Sequence, residues 1–357
     1  MSTPEPGGGQ PQGQWVHARL FGVSLPAASQ LSLGEGGTAL EDGAELGRDL
    51  GIPGLLLKRE DLSPSGSHKG RCLSLLCSEL VAGNQRQAVI SSSGNAAIAA
   101  AAYASLGGIR LLSLVSPRTP RLKLDRLRIY QQLTVTSDRP VALLHHAVQS
   151  WGLADLRGSV NRLAPNAYRG LAAELLDAGP VAAVFLFSSS GASALGLAQG
   201  FDQLLPAQER PQLHIVEGEP GGELTRPWYG RSTSEPTSEA TLGELGTHRS
   251  RLAPAVRRAV RASGGRGWRV GAAAAAVRPV AERRGVRTSW EGLAALAAMR
   301  EAASRRLGPA GAWVALLTGD EAQLDQAPTP ARELDLPSAS SESELDRILT
   351  GAGFQRP

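Results

Sequence analysis

Residues 55–71 read LLLKREDLSPSGSHKGR, and how this stretch divides decides the fold. It opens on an apolar run, Gly54–Lys58, of strand length. A turn-rich Ser-Pro-Ser-Gly-Ser segment follows, and an apolar helix is expected over Cys72–Val81. Strand, tight turn and helix in that order are the unit of an α/β protein. Lys69 stands at the helix start. Partial burial there, and the positive end of the helix dipole, both favour the neutral amine over the ammonium. The neutral amine is the nucleophilic form that carbonyl chemistry needs. A lysine at a helix start is ordinarily a solvated charge, so its meaning depends on the rest of the chain.

Working outward, the same alternation continues. Strands are expected at Gly54–Lys58, Ala88–Ser91, Ile109–Val115, Leu133–Thr136, Val181–Phe187, Gln212–Glu217 and Trp313–Leu317. Helices are expected at Cys72–Val81, Asn95–Leu106, Pro120–Gln131, Val141–Trp151, Ala167–Leu176, Ala192–Leu204, Pro254–Ala262 and Ser289–Arg305. Many of the strands are unbroken apolar runs without polar alternation. Such strands are covered on both faces, which predicts mainly parallel sheets flanked by helices. A chain of 357 residues, 42% hydrophobic and 20% charged, is long enough for two lobes. Residues 221–247 read as a long loop or irregular insertion, rich in Gly, Ser, Thr, Pro and Glu. The chain after Asp320 reads as a peripheral tail with one short amphipathic helix near Ser341–Leu349.

The net charge of +4 and the arginines between Arg251 and Arg287 invite a nucleic-acid reading. With aromatics at 4%, little interleaves those arginines to stack on bases, so they read as solvated helix faces. Cys72 and Cys77 have neither CxxC spacing nor a neighbouring His pair, so they read as reduced buried thiols in a cytoplasmic protein. The opening MSTPEPGGGQPQGQ lacks a basic cluster and an apolar core, and reads as a disordered lead. No uncharged apolar run is long enough to cross a bilayer, so no membrane partner is expected.

Three more segments qualify Lys69. In AVISSSGNAAIAA a strand runs into Ser92-Ser93-Gly94-Asn95 and an alanine-rich helix follows; small residues there leave helix-start amides free for an anion. In VFLFSSSGASALG another strand ends in the loop Ser188–Ser193 before a helix. That loop has the character of a phosphate cradle. It fits neither GxxxxGK nor GxGxxG, and it misses GxSxG by one position. In AWVALLTGD a buried-type strand ends in Thr318-Gly319, where a hydroxyl could meet a ring nitrogen. Taken singly, each is an ordinary strand end or helix cap.

In this order the four segments resemble the tryptophan-synthase-like (fold type II) group of pyridoxal-phosphate enzymes. Within that group, LSLGEGGTAL followed by LLLKREDLSPSGSHKGR looks most like threonine synthase. The resemblance covers about Leu31 to Gly319 and is weakest between Gly221 and Arg287. It implies an α/β fold of two lobes, each a mainly parallel sheet flanked by helices, with pyridoxal 5'-phosphate in the cleft between them. Residues 15–71 and 163–320 would form the large lobe and residues 72–162 the small one, with a lead over 1–14 and a tail over 321–357.

Carried over by motif, the resemblance makes Lys69 the catalytic Schiff-base lysine, which also moves protons on the substrate carbons. Asn95 would bond the cofactor's ring hydroxyl. Ser189, Ser190, Gly191, Ala192 and Ser193 would hold its phosphate, and Thr318 would face its pyridine nitrogen. Ser92, Ser93 and Gly94 would hold the substrate carboxylate. Arg118, Arg121, Lys123 and Arg169 are candidates for a substrate phosphate. No metal is implied. The partners implied are a small amino-acid substrate and a second copy of the chain in a homodimer.

The chain departs from the threonine-synthase pattern at His68 (usually Phe), Gly70 (usually Asp) and Ala39 (usually Pro), and its phosphate loop is richer in Ser. The activity implied is conversion of O-phosphohomoserine and water to threonine and phosphate. Two alternatives stay open: a serine/threonine dehydratase or other β-replacement enzyme, and a protein that binds the cofactor without turnover. The pair His145-His146 reads as structural or solvated.

Overall fold

A computed structural model describes residues 12–92, 94–219, 221–229, 250–320 and 335–357. Two sheets organise them. The larger has six strands in the order β1 (Leu40–Asp42), β2 (Leu55–Lys58), β10 (Trp313–Leu316), β7 (Ala183–Phe187), β8 (Gln212–Gly218) and β9 (Gly267–Val270). Every pairing in it is parallel except β1 with β2. The smaller is wholly parallel, in the order β5 (Leu133–Thr136), β4 (Arg110–Val115), β3 (Gln87–Ser91) and β6 (Ala154–Asp155). Each residue of β7 and β10 is buried, as expected for strands covered on both faces.

Helices supply that cover. One face of the large sheet packs against α1 (Ala44–Leu50), α10 (Ala273–Arg283) and α11 (Trp290–Ser304). Its other face packs against α6 (Arg169–Leu176), α7 (Ala192–Leu204) and α9 (Ala253–Ala262). Glycines let α7 approach α6 and the turn before it: a Cβ at Gly196 would run into the Pro165 carbonyl, and one at Gly200 into that of Arg169. The small sheet carries α2 (Lys69–Ala82), α3 (Asn95–Leu106) and α4 (Arg121–Ile129) on one face and α5 (Pro140–Trp151) on the other. A single turn, α8 (Arg226–Tyr229), and the C-terminal α12 (Glu342–Gly351) complete the list. No helix among the described residues is long and apolar enough to cross a membrane.

Most expected elements are present within a residue or two. The strands β1, β6 and β9 and the helices α1, α8 and α10 were not anticipated. The β1 and β6 pairings are only three and two residues long, too short to carry a pattern. The helix α10 was hidden by an alanine run and an internal Pro279. Of the loop expected over 221–247, residues 230–247 lie outside the described part.

Two expectations are corrected. Gln14, assigned to a loose lead, is fully buried, and its Nε2 donates to the Arg71 carbonyl at 2.7 Å. The tail is not peripheral from residue 335 onward. Its backbone pairs with Thr136 beside β5, through Thr136 N to Pro337 O at 2.9 Å and Ala339 N to Thr136 O at 3.0 Å. Leu345, Leu349 and Phe354 then complete a core with Leu144, Ala147 and Trp151 of α5. Asp346 accepts from His146 Nε2 and Trp151 Nε1, both at 2.7 Å, which gives His146 its structural role.

A buried ion network joins the elements that lead into α2. Arg71 donates in pairs to Glu60 (2.8 and 2.7 Å) and to Glu174 of α6 (2.7 and 2.7 Å). Lys58, at the end of β2, donates to Glu174 and to the Thr38 carbonyl, each at 2.6 Å. Two cations and two carboxylates balance, so the cluster tolerates removal from water only as a whole. Burial pushes the Glu174 carboxyl up, but the charges and hydrogen bonds of Arg71 and Lys58 outweigh it and hold the group below its ordinary range.

A carboxyl held low in the folded state contributes stability above its unfolded value near ~4.3, and that stability is lost as pH falls through the lower folded value. Glu174→Gln is therefore expected to cost about 3–5 kcal/mol at neutral pH and to flatten the loss of stability below about pH 4, read by denaturant unfolding across pH. Leu349→Ala, which empties a fully buried site under the tail, is expected to cost about 2–4 kcal/mol in the same assay. An unchanged midpoint would mean the tail is not anchored.

Candidate active site

The carboxyl ends of β3, β7 and β10 converge on a cavity of about 520 Å³ between the two sheets. Crevices beyond the carboxyl ends of parallel strands are where open α/β sheets hold ligands. Lys69 lines it, as the first residue of α2. The turn before it is tied to the end of β10: Ser67 pairs with Gly319, His68 N donates to the Thr318 carbonyl at 3.1 Å, and Asp320 N to the Gly66 carbonyl at 3.0 Å. Gly66 accepts φ +73°, and a Cβ there would collide with the Asp320 carboxylate.

The Lys69 side chain is half-buried and has no hydrogen bond or ion pair among the described residues. Burial lowers its pKa, with Cys72 and Glu291 acting in the opposite sense, so the neutral amine is more accessible than for a free lysine. Burial, assisted by the charge of Lys69, also holds His68 well below its ordinary value. Its Nδ1 lies 3.0 Å from the Thr318 carbonyl, which can only accept, so Nδ1 carries the proton. That leaves Nε2 as a buried lone pair without a partner. The His68 ring leans on Tyr168 at 5.6 Å between centroids.

Of the residues singled out from sequence, Lys69, Ser92, Gly94, Asn95, Ser189, Ser190, Ala192 and Thr318 line this one cavity. Gly191 and Ser193 lie buried behind the lining, and Ser93 lies outside the described residues. Ser92 and Gly94 form the turn from β3 into α3, with Gly94 N donating to Ser92 Oγ at 3.3 Å. In the other loop Gly191 N donates to Ser188 Oγ at 3.1 Å. Gly191 has φ +85° and stands against Val256 and Leu224, where no side chain fits. The loop thus holds its backbone amides at the start of the 13-residue helix α7, where an anion is stabilised. Thr318 is buried at the end of β10.

Sequence reasoning missed Glu291, Arg157, Ser159 and Tyr168, which also line the cavity. Of the four cations offered for a substrate phosphate, Lys123 alone lines it. Arg169 is turned to Gln199 and the Leu20 carbonyl, Arg121 pairs with Asp125 on the surface, and Arg118 is exposed. A signal was available. Three of the 37 basic residues are lysines: Lys58, Lys69 and Lys123. One is locked in the buried network, and the other two face the cavity. Among the described residues no cluster of His, Cys, Asp or Glu is arranged to hold a metal.

A half-buried amine, a glycine-shaped helix-start loop, an uncharged hydroxyl at a strand end and an orphaned imidazole lone pair fit an aldehyde-bearing aromatic phosphate. Comparison with known proteins agrees. A family model described as "Pyridoxal-phosphate dependent enzyme" matches residues 31–319. Threonine synthases of Mycobacterium tuberculosis and Mycobacterium leprae are each 36% identical over 85 residues, 24% of this chain and 23% of theirs. The chain thus spans under a quarter of the length of these curated relatives.

Maize serine racemase superposes with a TM-score of 0.67 at 20% identity, over 80% of this chain and 90% of that one. The processed form of threonine deaminase isoform 2 from Solanum lycopersicum does so with 0.63 at 18%, over 88% and 83%. At such identities the likeness is one of fold, here the two-lobed fold type II. The family match, by contrast, takes in both sheets and every loop that faces the cavity, and on that ground the chain belongs to the pyridoxal-phosphate-dependent enzymes.

Proposed function

We propose that the chain is a threonine-synthase-like lyase, converting O-phosphohomoserine and water to L-threonine and inorganic phosphate. The observation that carries this reading is the second amine in the cavity. Lys123 is half-buried and without an ion-pair partner among the described residues, and a Cβ on Gly94 would lie 3.9 Å from its Nζ. A substrate with only a carboxylate is served by the amides and hydroxyls of the Ser92–Asn95 turn. A substrate with a phosphate as well needs a further cation beside that turn, and Lys123 supplies it. Arg157 stands nearby but is engaged by Asp155 at 2.7 Å. The local identity to threonine synthases supports the same choice.

Each residue then has a task. Ser92, Ser93 and Gly94 hold the substrate carboxylate. Asn95 and Ser189–Ser193 orient the cofactor by its hydroxyl and phosphate, and Thr318 meets its ring nitrogen without adding charge. The cofactor, when bound, supplies a carbonyl carbon for amines and a ring that draws electrons from the substrate's α carbon. Lys69 Nζ moves protons among the α, β and γ carbons, so that the γ C–O bond breaks with loss of phosphate and the hydroxyl of water adds at the β carbon. Cys72 and Cys77 are free and buried, in keeping with a cytoplasmic setting.

The purified protein is expected to show a visible absorption band that borohydride removes and that Lys69→Ala lacks. A band that survives in the alanine variant overturns the role of Lys69. Phosphate release from O-phosphohomoserine tests the substrate, and Lys123→Met is expected to raise its KM by roughly 10- to 100-fold with a smaller change in kcat. Keto-acid release from serine or threonine, without phosphate release from O-phosphohomoserine, assigns a dehydratase reaction instead.

A further inference from the structure

Arg126 is a half-buried cation of α4, three residues after Lys123 and so its neighbour on the helix surface. Neither the motifs nor the chemistry above gives it a task. The helix itself belongs to the small lobe, where Leu124 and Leu127 enter the core that holds Ile98 and Tyr103 of α3. Its own acidic residue, Asp125, is taken by Arg121 at 3.0 Å. Arg126 instead donates from Nη2 to Asp320 Oδ2 at 2.6 Å, 194 residues away in sequence. Asp320 stands two residues beyond Thr318, and its amide donates to the Gly66 carbonyl at 3.0 Å. The ion pair lies over that turn. A Cβ on Gly66 would come within 2.5 Å of the Asp320 carboxylate and 3.1 Å of the Arg126 guanidinium. One side chain of α4 thus reaches both backbone segments that carry Lys69 and Thr318, while Lys123, about one turn earlier, lines the cavity beside Gly94.

We propose that Arg126 is the positioning residue for Lys123: its ion pair with Asp320 latches α4 across the cleft and so sets where the Lys123 amine stands over the cavity. This rests on the reading of Lys123 as the cation for the substrate's phosphate. Two of the nine residues of α4 are buried, and no side-chain hydrogen bond caps its start. A helix so lightly seated takes its position from its other contacts as well. Among the described residues, the pair with Asp320 is the ion pair that joins α4 to the large lobe. Its guanidinium and carboxylate side chains are 30% and 19% exposed, and charges shielded to that degree are screened less by salt than open surface pairs. Removing the pair leaves Lys69 and its turn intact, because His68 N and Asp320 N hold that turn through the backbone. The loss therefore falls on the grip of a distal phosphate and appears in KM more than in kcat.

Two measurements on the full-length protein test this. Cys72 and Cys77 are buried, so nitroxide labels can be directed to Arg128→Cys on α4 and Arg283→Cys on α10, both exposed positions. Electron–electron distance measurement is expected to give one narrow distribution with the pair intact. Arg126→Met is expected to lengthen or broaden it, Asp320→Asn to do the same, and the two together to do no more than either alone. In a folded protein, a distribution left unchanged by either substitution overturns the proposal; should one variant fail to fold, the other carries the test. With O-phosphohomoserine, Arg126→Met is expected to raise KM by roughly 3- to 10-fold in the wild-type background and not at all in Lys123→Met. An equal rise in both backgrounds shows that Arg126 does not act through Lys123 and also overturns the proposal. The label distances need no substrate, so absence of turnover removes the reading of the substrate while the latch is still decided by its own measurement.

Discussion

The buried ion network behind Lys69 is the constraint on which the site depends. Arg71 lies two residues past Lys69, with both carboxylate pairs at hydrogen-bond distance and no exposure. Glu60 reaches it from the loop after β2, Glu174 from α6, and Gln14 takes its carbonyl from the N-terminal segment. The first turn of α2 is thereby fixed to three separate parts of the chain. A helix start would otherwise fray, because its first amides have no intrahelical partners. Charges this deeply buried are costly unless every one is matched, which makes the arrangement unforgiving of any single loss.

With the backbone of α2 anchored on one side by Arg71, the other side is fastened to β10. Successive carbonyls at Thr318 and Gly319 receive the turn before Lys69 and the cap of α11. The lysine is thus placed by backbone contacts, while its amine is left without a hydrogen bond. A side chain proposed to act as a nucleophile is thereby spared the work of holding its own helix in place. Burial then works on the free amine and on His68 alike, and favours the neutral form of each.

The lobes are also tied to each other. Arg126 of α4 pairs with Asp320 at 2.6 Å, just beyond Thr318, and from residue 335 the chain packs on the far face of the small sheet. The cavity wall formed by Lys123 and the turn into α3 belongs to the small lobe, so the Arg126–Asp320 pair bears on how far that wall stands from Lys69.

The fold class and most of the cavity lining were legible in the sequence, for a local reason. Unbroken apolar strands, small-residue turns and the helices after them are short-range patterns, and each turn's chemistry follows from its own residues. Lys69, Asn95, Ser189 and Thr318 were found in that way. Glu291, Arg157 and Tyr168 were not, because each stands on an element whose pattern is ordinary and enters the cavity only when distant strand ends are brought side by side. The same holds for Gln14 and for the tail, whose polar composition hides a few apolar residues at helical spacing. Which of the chain's many charges would be buried, paired or left free was decided by tertiary contact alone, since desolvation depends on neighbours 100 or more residues away, as Arg71 and Glu174 illustrate.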